Sequence, residues 1–291
     1  MSLWNKDIRP MLLEETEEVF DNKDYLYEIK YEGIRVLVFV SKDKVVIKSR
    51  YGIDITGLFP EIGVLCKMVK GNVIFDGEII ILDNNKVSFS KLQKRIHLKN
   101  KKTIEFLSKT NPVVFICFDV IYEDRDLTNL SLLERKKILS KYEDNDVFIK
   151  STYVIGDGIK LFEAIKRLEM EGIVAKKINS KYLVNERSDN WLKIKNYKSG
   201  DFIILGYINK EESHVISLVL GEHLNKKIVY VGKVILGKKR NLADKILKMK
   251  KSKAVVKIKD KDVIYIKPEI KCLIKYLERT ENGLLRQPFV P

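Results

Sequence analysis

The sequence predicts an α+β protein in two domains, and three observations carry that prediction. Apolar runs of strand length far outnumber amphipathic helical segments. The helical segments fall at irregular intervals and do not alternate with the strands, which argues against a doubly wound parallel sheet. A Lys-Ser-Gly break in "NYKSGDF" (196–202) divides a longer mixed region from a final stretch of strands. The boundary is set near Gly200, giving domains 1–199 and 200–291.

Taken in order, the first strand-like stretch is "YEIKYEGIRVLVFV" (27–40), with charged residues two apart and then an apolar wall. By the two-residue period of a strand, Glu28, Lys30 and Glu32 share one face and Tyr27, Ile29 and Tyr31 the other. "KVVIKSR", "NVIFDGEIIIL", "PVVFICFDVIY", "EGIVAKK" and "WLKIKNY" follow as strands. Between them, "SLLERKKILSKY" opens with Ser131 and Glu134 three apart, the spacing of a capping box. "GIKLFEAIKRLEM" places Leu161, Phe162, Ile165 and Leu168 on one helical stripe. Past the break come "DFIILGYI", "HVISLVLG", "KIVYVGKV", "AVVKIK" and "VIYIK", with "NLADKILKMKK" as a short basic helix. About five strands and one helix in ~90 residues fit a small Greek-key barrel such as the OB-fold.

Composition narrows the function. With 291 residues, 45% hydrophobic and 33% charged, the chain is long enough to bury two cores. The formal net charge of +15 favours a polyanionic partner. No apolar run approaches the ~20 residues of a spanning helix. The start "MSLWNKDIRPMLLEE" has acids where a signal peptide would be apolar, so a cytoplasmic location is expected. Cys66, Cys117 and Cys272 are scattered, and His97, His214 and His223 lack ligand spacing, so neither disulfides nor a structural zinc is expected.

The chemistry-bearing signal is a set of charges planted in apolar strands. Lys30 precedes a run that reads as buried, and a lone buried ammonium is costly, so it is either an ion-pair partner or a nucleophile. Asp76 and Glu78 share a face of "FDGEIIIL", and Lys193 and Lys195 share a face of "WLKIKNY". Glu171 immediately precedes a strand, and Phe118 and Asp119 lie inside an apolar one. Each alone also fits an edge strand with one wet face. Together they supply a nucleophile, further cations for a phosphate, acids for a divalent cation and an aromatic platform.

In their order these stretches resemble the motifs of the covalent nucleotidyltransferase superfamily: ATP-dependent DNA ligases, RNA ligases and mRNA capping enzymes. "KYEGIR" (30–35) is similar to its motif I, "FDGEII" to motif III, "FICFDVIY" to motif IIIa, "EGIVAKK" to motif IV and "WLKIK" to motif V. "KSRYGIDITGLFPEI" resembles the segment after motif I in DNA ligases. "DYLYEIKYEGIR", "YVGKV" and "YLERTENGLLRQP" are most similar to the ligase domain of bacterial end-joining enzymes of the ligase D type. The resemblance implies a nucleotidyltransferase domain of ATP-grasp-like antiparallel sheets with flanking helices, followed by the OB-fold.

It also implies roles. Lys30 would attack the α-phosphate of ATP to form a lysyl–AMP phosphoramidate, and AMP would pass to the 5′-phosphate of a nick before the 3′-hydroxyl displaces it. Glu28 would accept from the adenine amino group and Phe118 would stack on the base. Arg35 and Arg50 would meet the ribose or the nick phosphate, and Arg187 the nucleotide. Glu78 and Glu171 would bind ribose or Mg²⁺ (or Mn²⁺), and Lys193 and Lys195 the α-phosphate. Expected partners are nicked or broken double-stranded DNA and a Ku-type end-binding protein, with the ligase itself a monomer. Glu32 stands where the family motif has Asp. The family's basic C-terminal motif VI has no counterpart after Arg286, so self-adenylylation is expected to be the weaker step. Residues 233–253 are expected to contact the DNA backbone. Two other functions stay open: an RNA ligase or capping-type guanylyltransferase, and a non-catalytic nucleic-acid-binding module.

Overall fold

The structure is a computed structural model that describes residues 2–84, 86–210, 215–225, 227–237, 240–260, 262–280 and 282–291. Lys238 and Lys239 of the expected DNA-contacting stretch lie outside the described residues. The first part of the chain forms β1 (Leu12–Glu15), β2 (Tyr25–Ile29), β3 (Ile34–Val40), β4 (Val45–Ser49), β5 (Val73–Asp83), β6 (Lys86–Val87), α1 (Phe89–Ile96) and α2 (Lys101–Thr110). It continues through β7 (Val113–Glu123), α3 (Leu132–Leu139), β8 (Phe148–Lys150), β9 (Tyr153–Ile155), α4 (Gly158–Arg167), β10 (Gly172–Lys177) and β11 (Arg187–Lys195). The remainder forms β12 (Lys198–Lys210), β13 (Val215–Leu224), β14 (Lys227–Ile235), α5 (Arg240–Leu247), β15 (Ile264–Tyr265), β16 (Lys271–Tyr276), β17 (Glu278–Arg279) and β18 (Leu285–Arg286).

Two compact units divide at Asn196/Tyr197. Gly200, at the sequence break, lies inside β12 and pairs with Ile274 of β16, so the chain enters the second unit three residues before the glycine. In the first unit, one sheet has the order β1-β11-β10-β2-β9 and the other β4-β3-β5-β7-β8, with β6 alongside β5. Their inner faces share a core of Leu26 and Trp191 from the first sheet and Leu37, Phe39, Ile74 and Ile121 from the second. The outer face of the first sheet packs Tyr27, Ile173 and Ile194 against Ile165 of α4. The outer face of the second packs Val38, Phe75 and Phe115 against Phe59, Ile62, Leu65 and Leu92 of α1.

Several elements differ from the sequence reading. The run at 27–40 is not one strand but two strands in two different sheets, β2 and β3, joined by residues 30–33. Gly33 permits the break: a Cβ there would sit 2.2 Å from the Ile79 carbonyl oxygen of β5. Helices α1 and α2 have no counterpart in that reading, although Ser88 and Asn100 cap them by accepting from backbone N–H groups. "AVVKIK" has strand alternation but forms no strand; Val256 and Ile258 instead pack as an irregular segment against Ile203, Leu205 and Val219. The expected capping box at Ser131 and Glu134 is present. In the second unit, five antiparallel strands with α5 after the third give an OB-fold-like arrangement around Ile204, Leu218, Leu220 and Ile274.

Two strand acids are consumed by the core. Asp119, fully buried, is held by the Arg135 guanidinium of α3 at 2.9 Å, and Arg135 also donates to the carbonyls of Leu130 and Ser180. Asp76, also fully buried, accepts two bonds from Arg35 and one from the Tyr182 hydroxyl at 2.7 Å. Removing one member of such a pair strands the other charge, at a cost of about 3–5 kcal/mol. Arg135→Ala should therefore lower the urea midpoint of the first unit by about that free energy, and Arg135→Met/Asp119→Leu should recover most of it. Tryptophan fluorescence reads this unit alone, since Trp4 and Trp191 both lie within it. Equal losses in the single and double variants would contradict this account.

Candidate active site

Strand pairing decides which side chains meet. Antiparallel partners directly opposite each other project to the same face. Glu28 pairs with Val174, and Val174 with Lys193. One row further, the Lys30 N–H donates to the Gly172 carbonyl at 2.9 Å, and Gly172 pairs with Lys195. A third row joins Leu26, Lys176 and Trp191. One sheet face therefore carries Glu28, Lys30, Lys176, Trp191, Lys193 and Lys195. The position between Lys30 and Lys195 is a glycine, so no side chain separates the two ammonium groups. At ~4.8 Å per strand, their backbones lie about 10 Å apart.

Each of these charges has a partner. Lys30 Nζ lies 2.8 Å from Glu171 Oε1, whose side chain is 8% exposed. Lys193 and Lys195 reach Glu15 Oε2 of β1 at 3.0 and 3.5 Å. Burial lowers the Lys195 pKa, with Glu15 working the other way. Glu28 is nearly fully buried between Lys136 of α3, on its Oε1, and Lys176, 2.5 Å from its Oε2. Burial favours the neutral acid, but the two ammonium groups outweigh it and hold the Glu28 carboxyl below its usual range. Burial brings Lys176 down to about 8, against the opposing pull of Glu28. The Lys176 ammonium also lies 4.2 Å from the ring centre of Phe118 and 4.1 Å from that of Trp191.

The second sheet supplies the facing wall. Arg35 and Glu78 are paired across β3 and β5, and the Arg35 guanidinium lies 5.2 Å from the centre of the Phe118 ring on β7. Burial raises the Glu78 carboxyl to about 7, with Lys30 and Arg35 pulling it down and Glu171 adding to the rise. A cleft opens between the walls, with Glu28, Lys30, Arg35, Glu78, Phe118 and Lys176 on its lining. Asp76 and Asp119 are paired to arginines, whereas Glu78 and Glu171 keep carboxylate oxygens beside Lys30. Their like charges oppose each other, which a cation between them would relieve. The donor set fits a hard, oxygen-seeking ion.

The structure thus lines one cavity with Glu28, Lys30, Arg35, Glu78 and Phe118, sets Glu171 against Lys30, and puts Lys193 and Lys195 on the same sheet face. Arg50 and Arg187 do not line it. Arg50 is exposed at the end of β4, 5.2 Å from the Tyr51 ring, and Arg187 is exposed at the start of β11, bonded to the Leu13 carbonyl. Sequence reasoning does not single out Lys176, Lys136, Trp191 or Glu15. Lys176 carries a signal, a lysine inside the apolar "GIVAKK"; Lys136 carries none, since it reads as one of several surface cations of a helix.

Two facing sheets, antiparallel except for the parallel edge pairs β1–β11 and β7–β8, with an OB-fold-like unit behind them in sequence, make this a covalent nucleotidyl-transfer fold. It is shared with the ligase domain of Mycobacterium tuberculosis LigD, at a TM-score of 0.61, 25% identity, and coverage of 100% of this chain and 95% of that one. The chain belongs to the ATP-dependent DNA ligase family: the family model described as "ATP dependent DNA ligase domain" matches residues 10–195. It is 30% identical over 288 residues to the SPbeta prophage-derived DNA ligase-like protein LigB of Bacillus subtilis, covering 97% of each. It is 29% identical over 299 residues to the multifunctional non-homologous end joining protein LigD of Mycolicibacterium smegmatis, covering 97% of this chain but 38% of that protein.

The raised Glu78 carboxyl gives a pH test. An acid whose folded pKa lies above its unfolded value costs stability as pH rises from about 4.5 to about 7, and the cost stays constant above that. Glu78→Gln should melt higher than the wild type at pH 8, and the gap should close towards pH 5. A gap independent of pH, read from thermal melts across this range, would contradict the burial of Glu78.

Proposed function

We propose that this chain seals nicks or breaks in duplex DNA with ATP, through AMP carried on Lys30. The observation that carries the reading is the row Lys30–Gly172–Lys195 beside the cavity, because it sets a nucleophile and a cation on one sheet face with no side chain between them. Attack at phosphorus needs the neutral amine, and Glu171, 2.8 Å away, is the adjacent acceptor for its proton. The amine then bonds to the α-phosphorus as the bond to the leaving pyrophosphate breaks. Each later step is a similar in-line displacement: the nick 5′-phosphate takes AMP from Lys30, and the 3′-hydroxyl then expels AMP. Lys193 and Lys195 stabilise the oxygens of the transferring phosphate. Glu78 and Glu171 would hold a divalent cation, Mg²⁺ or Mn²⁺, which would supply charge neutralisation on the phosphates.

The base enters the cavity against Phe118, where it has to share the ring with Lys176 and Arg35. Glu28 keeps acceptor capacity for an adenine amino group, because an ionised carboxylate has about four lone-pair sites and its two lysines leave some of them open. Its ionised state favours adenine over guanine, which would present a carbonyl acceptor there, and this argues against a capping-type guanylyltransferase. End joining is the proposed pathway, supported by the likeness to LigD proteins, with DNA ends delivered by a Ku-type protein to a monomeric enzyme in the cytoplasm. No helix among the described residues is long and apolar enough to cross a membrane.

Two variants test the roles. Lys30→Ala should abolish lysyl–AMP formation and sealing with ATP, yet still seal a nick supplied already adenylylated; normal ATP-dependent sealing by the variant would sink the assignment. Lys195→Ala should lose at least two orders of magnitude in lysyl–AMP formation, since a positioned cation at a transferring phosphate contributes ~3 kcal/mol or more. Lys195→Arg should rescue poorly because a planar fork does not reproduce a point ammonium. Wild-type rates in Lys195→Ala would reduce this strand face to a solvated one.

A further inference from the structure

The cavity at Lys30 makes no use of helices α1 and α2. Residues 88–110 contain seven lysines and arginines against one glutamate, a surplus of six in a chain of net charge +15. Two of these cations are committed within the unit. Arg95 is buried, with its guanidinium on both Glu61 oxygens and the Leu58 carbonyl, and pins α1 to the segment Pro60–Met68. Lys91 pairs with Asp83 at 2.8 Å. Lys94, Lys99, Lys101, Lys102 and Lys109 are exposed and have no ion pair among the described residues.

We infer that the α1–α2 hairpin is a contact surface for the phosphate backbone of duplex DNA, separate from the cavity at Lys30. Three features favour that partner. Lys101 and Lys102 open α2 at the positive end of its dipole, where cations are unfavourable until an anion sits beside them. The helices are about 12 and 15 Å long at ~1.5 Å per residue, matching about four phosphates at ~3.4 Å per base step. An open groove between them, lined by Ile81, Leu98 and Leu107, has Lys94 on its wall beside the Lys91–Asp83 pair, where a backbone phosphate can approach. An anionic membrane fits less well: Phe106 is the one large exposed apolar residue of the hairpin among those described, and surface-lying helices need a continuous apolar face. Strand β5 runs from Glu78 at the cavity to Asp83 at the foot of α1, about 17 Å at ~3.4 Å per residue. A duplex engaged at Lys30 thus has the hairpin within about five base steps. The choice of duplex DNA as the polyanion rests on the ligase reading; the surface itself does not.

The test is binding of a nicked duplex by fluorescence anisotropy across a potassium chloride series. Lys94→Ala/Lys101→Ala/Lys102→Ala should reduce the slope of log affinity against log salt by about 2–3, at ~0.9 for each phosphate no longer neutralised. The control Lys137→Ala/Lys141→Ala/Lys166→Ala removes equal charge from exposed positions elsewhere in the unit and should leave the slope unchanged. The three Lys→Arg changes at 94, 101 and 102 should keep wild-type binding. An unchanged slope in the hairpin variant, or an equal fall in both triple variants, would overturn the proposal. So would hairpin-dependent binding to phosphatidylserine vesicles with DNA binding unaltered. Lysyl–AMP formation is measured in the same proteins. Its absence from the wild type, with the hairpin effect intact, would remove the ligase reading and leave the surface standing.

Discussion

Strand β10 is bonded on one edge to β2 and on the other to β11, and a slip of one residue in either ladder would turn a whole set of side chains to the opposite face. Everything proposed for the cavity depends on that register. It aligns Glu28 with Lys193 and Lys30 with Lys195, and it leaves Gly172 in the gap. The register is fixed from the other side of the sheet, where Tyr27, Ile173 and Ile194 are buried against α4. A slip would expose that apolar set and bury the charged one, so the packing of α4 and the placement of the lysines are one constraint.

The second constraint is charge balance. The first unit places Lys30, Arg35, Lys136 and Lys176 close together, an arrangement that mutual repulsion would oppose without acids between them. Glu28, Asp76 and Glu171 each take up one or two of these cations. Glu28 and Asp76 are buried and hold fixed positions. Glu78 is left without a dedicated cation and rises towards neutrality, and it sits beside the Lys30–Glu171 pair. The locked pairs support the site, and the groups with the weakest commitments lie where the reacting phosphate would arrive.

Much of this is legible in the sequence, for a physical reason. A charge in an apolar strand is costly enough to stand out, and the two-residue period says which charges share a face. That reasoning places Glu28 and Lys30 on one face and Lys193 and Lys195 on another shared face, while their roles come from the family resemblance. It fails where tertiary packing decides. Asp76 and Asp119 look like Glu78 in sequence, yet arginines from β3 and α3 neutralise them in the core. Lys136 meets Glu28 across 108 residues and leaves no local mark. "AVVKIK" has the right alternation, but Val256 and Ile258 bury against Ile203 and Leu205 without joining a ladder. The α1–α2 segment does carry a signal, since Phe89, Leu92 and Ile96 keep helical spacing behind the capping Ser88, but its two helices are short and dense in lysines.

The account rests on one lysine carrying the nucleotide, and mass spectrometry can locate that bond directly. The protein would be incubated with ATP and Mg²⁺, digested under neutral conditions that preserve a phosphoramidate, and its peptides sequenced. The expected result is AMP on Lys30 and on no other lysine. AMP on Lys176 or Lys195 instead, or no adduct in protein that still seals nicks with ATP, would contradict the central claim.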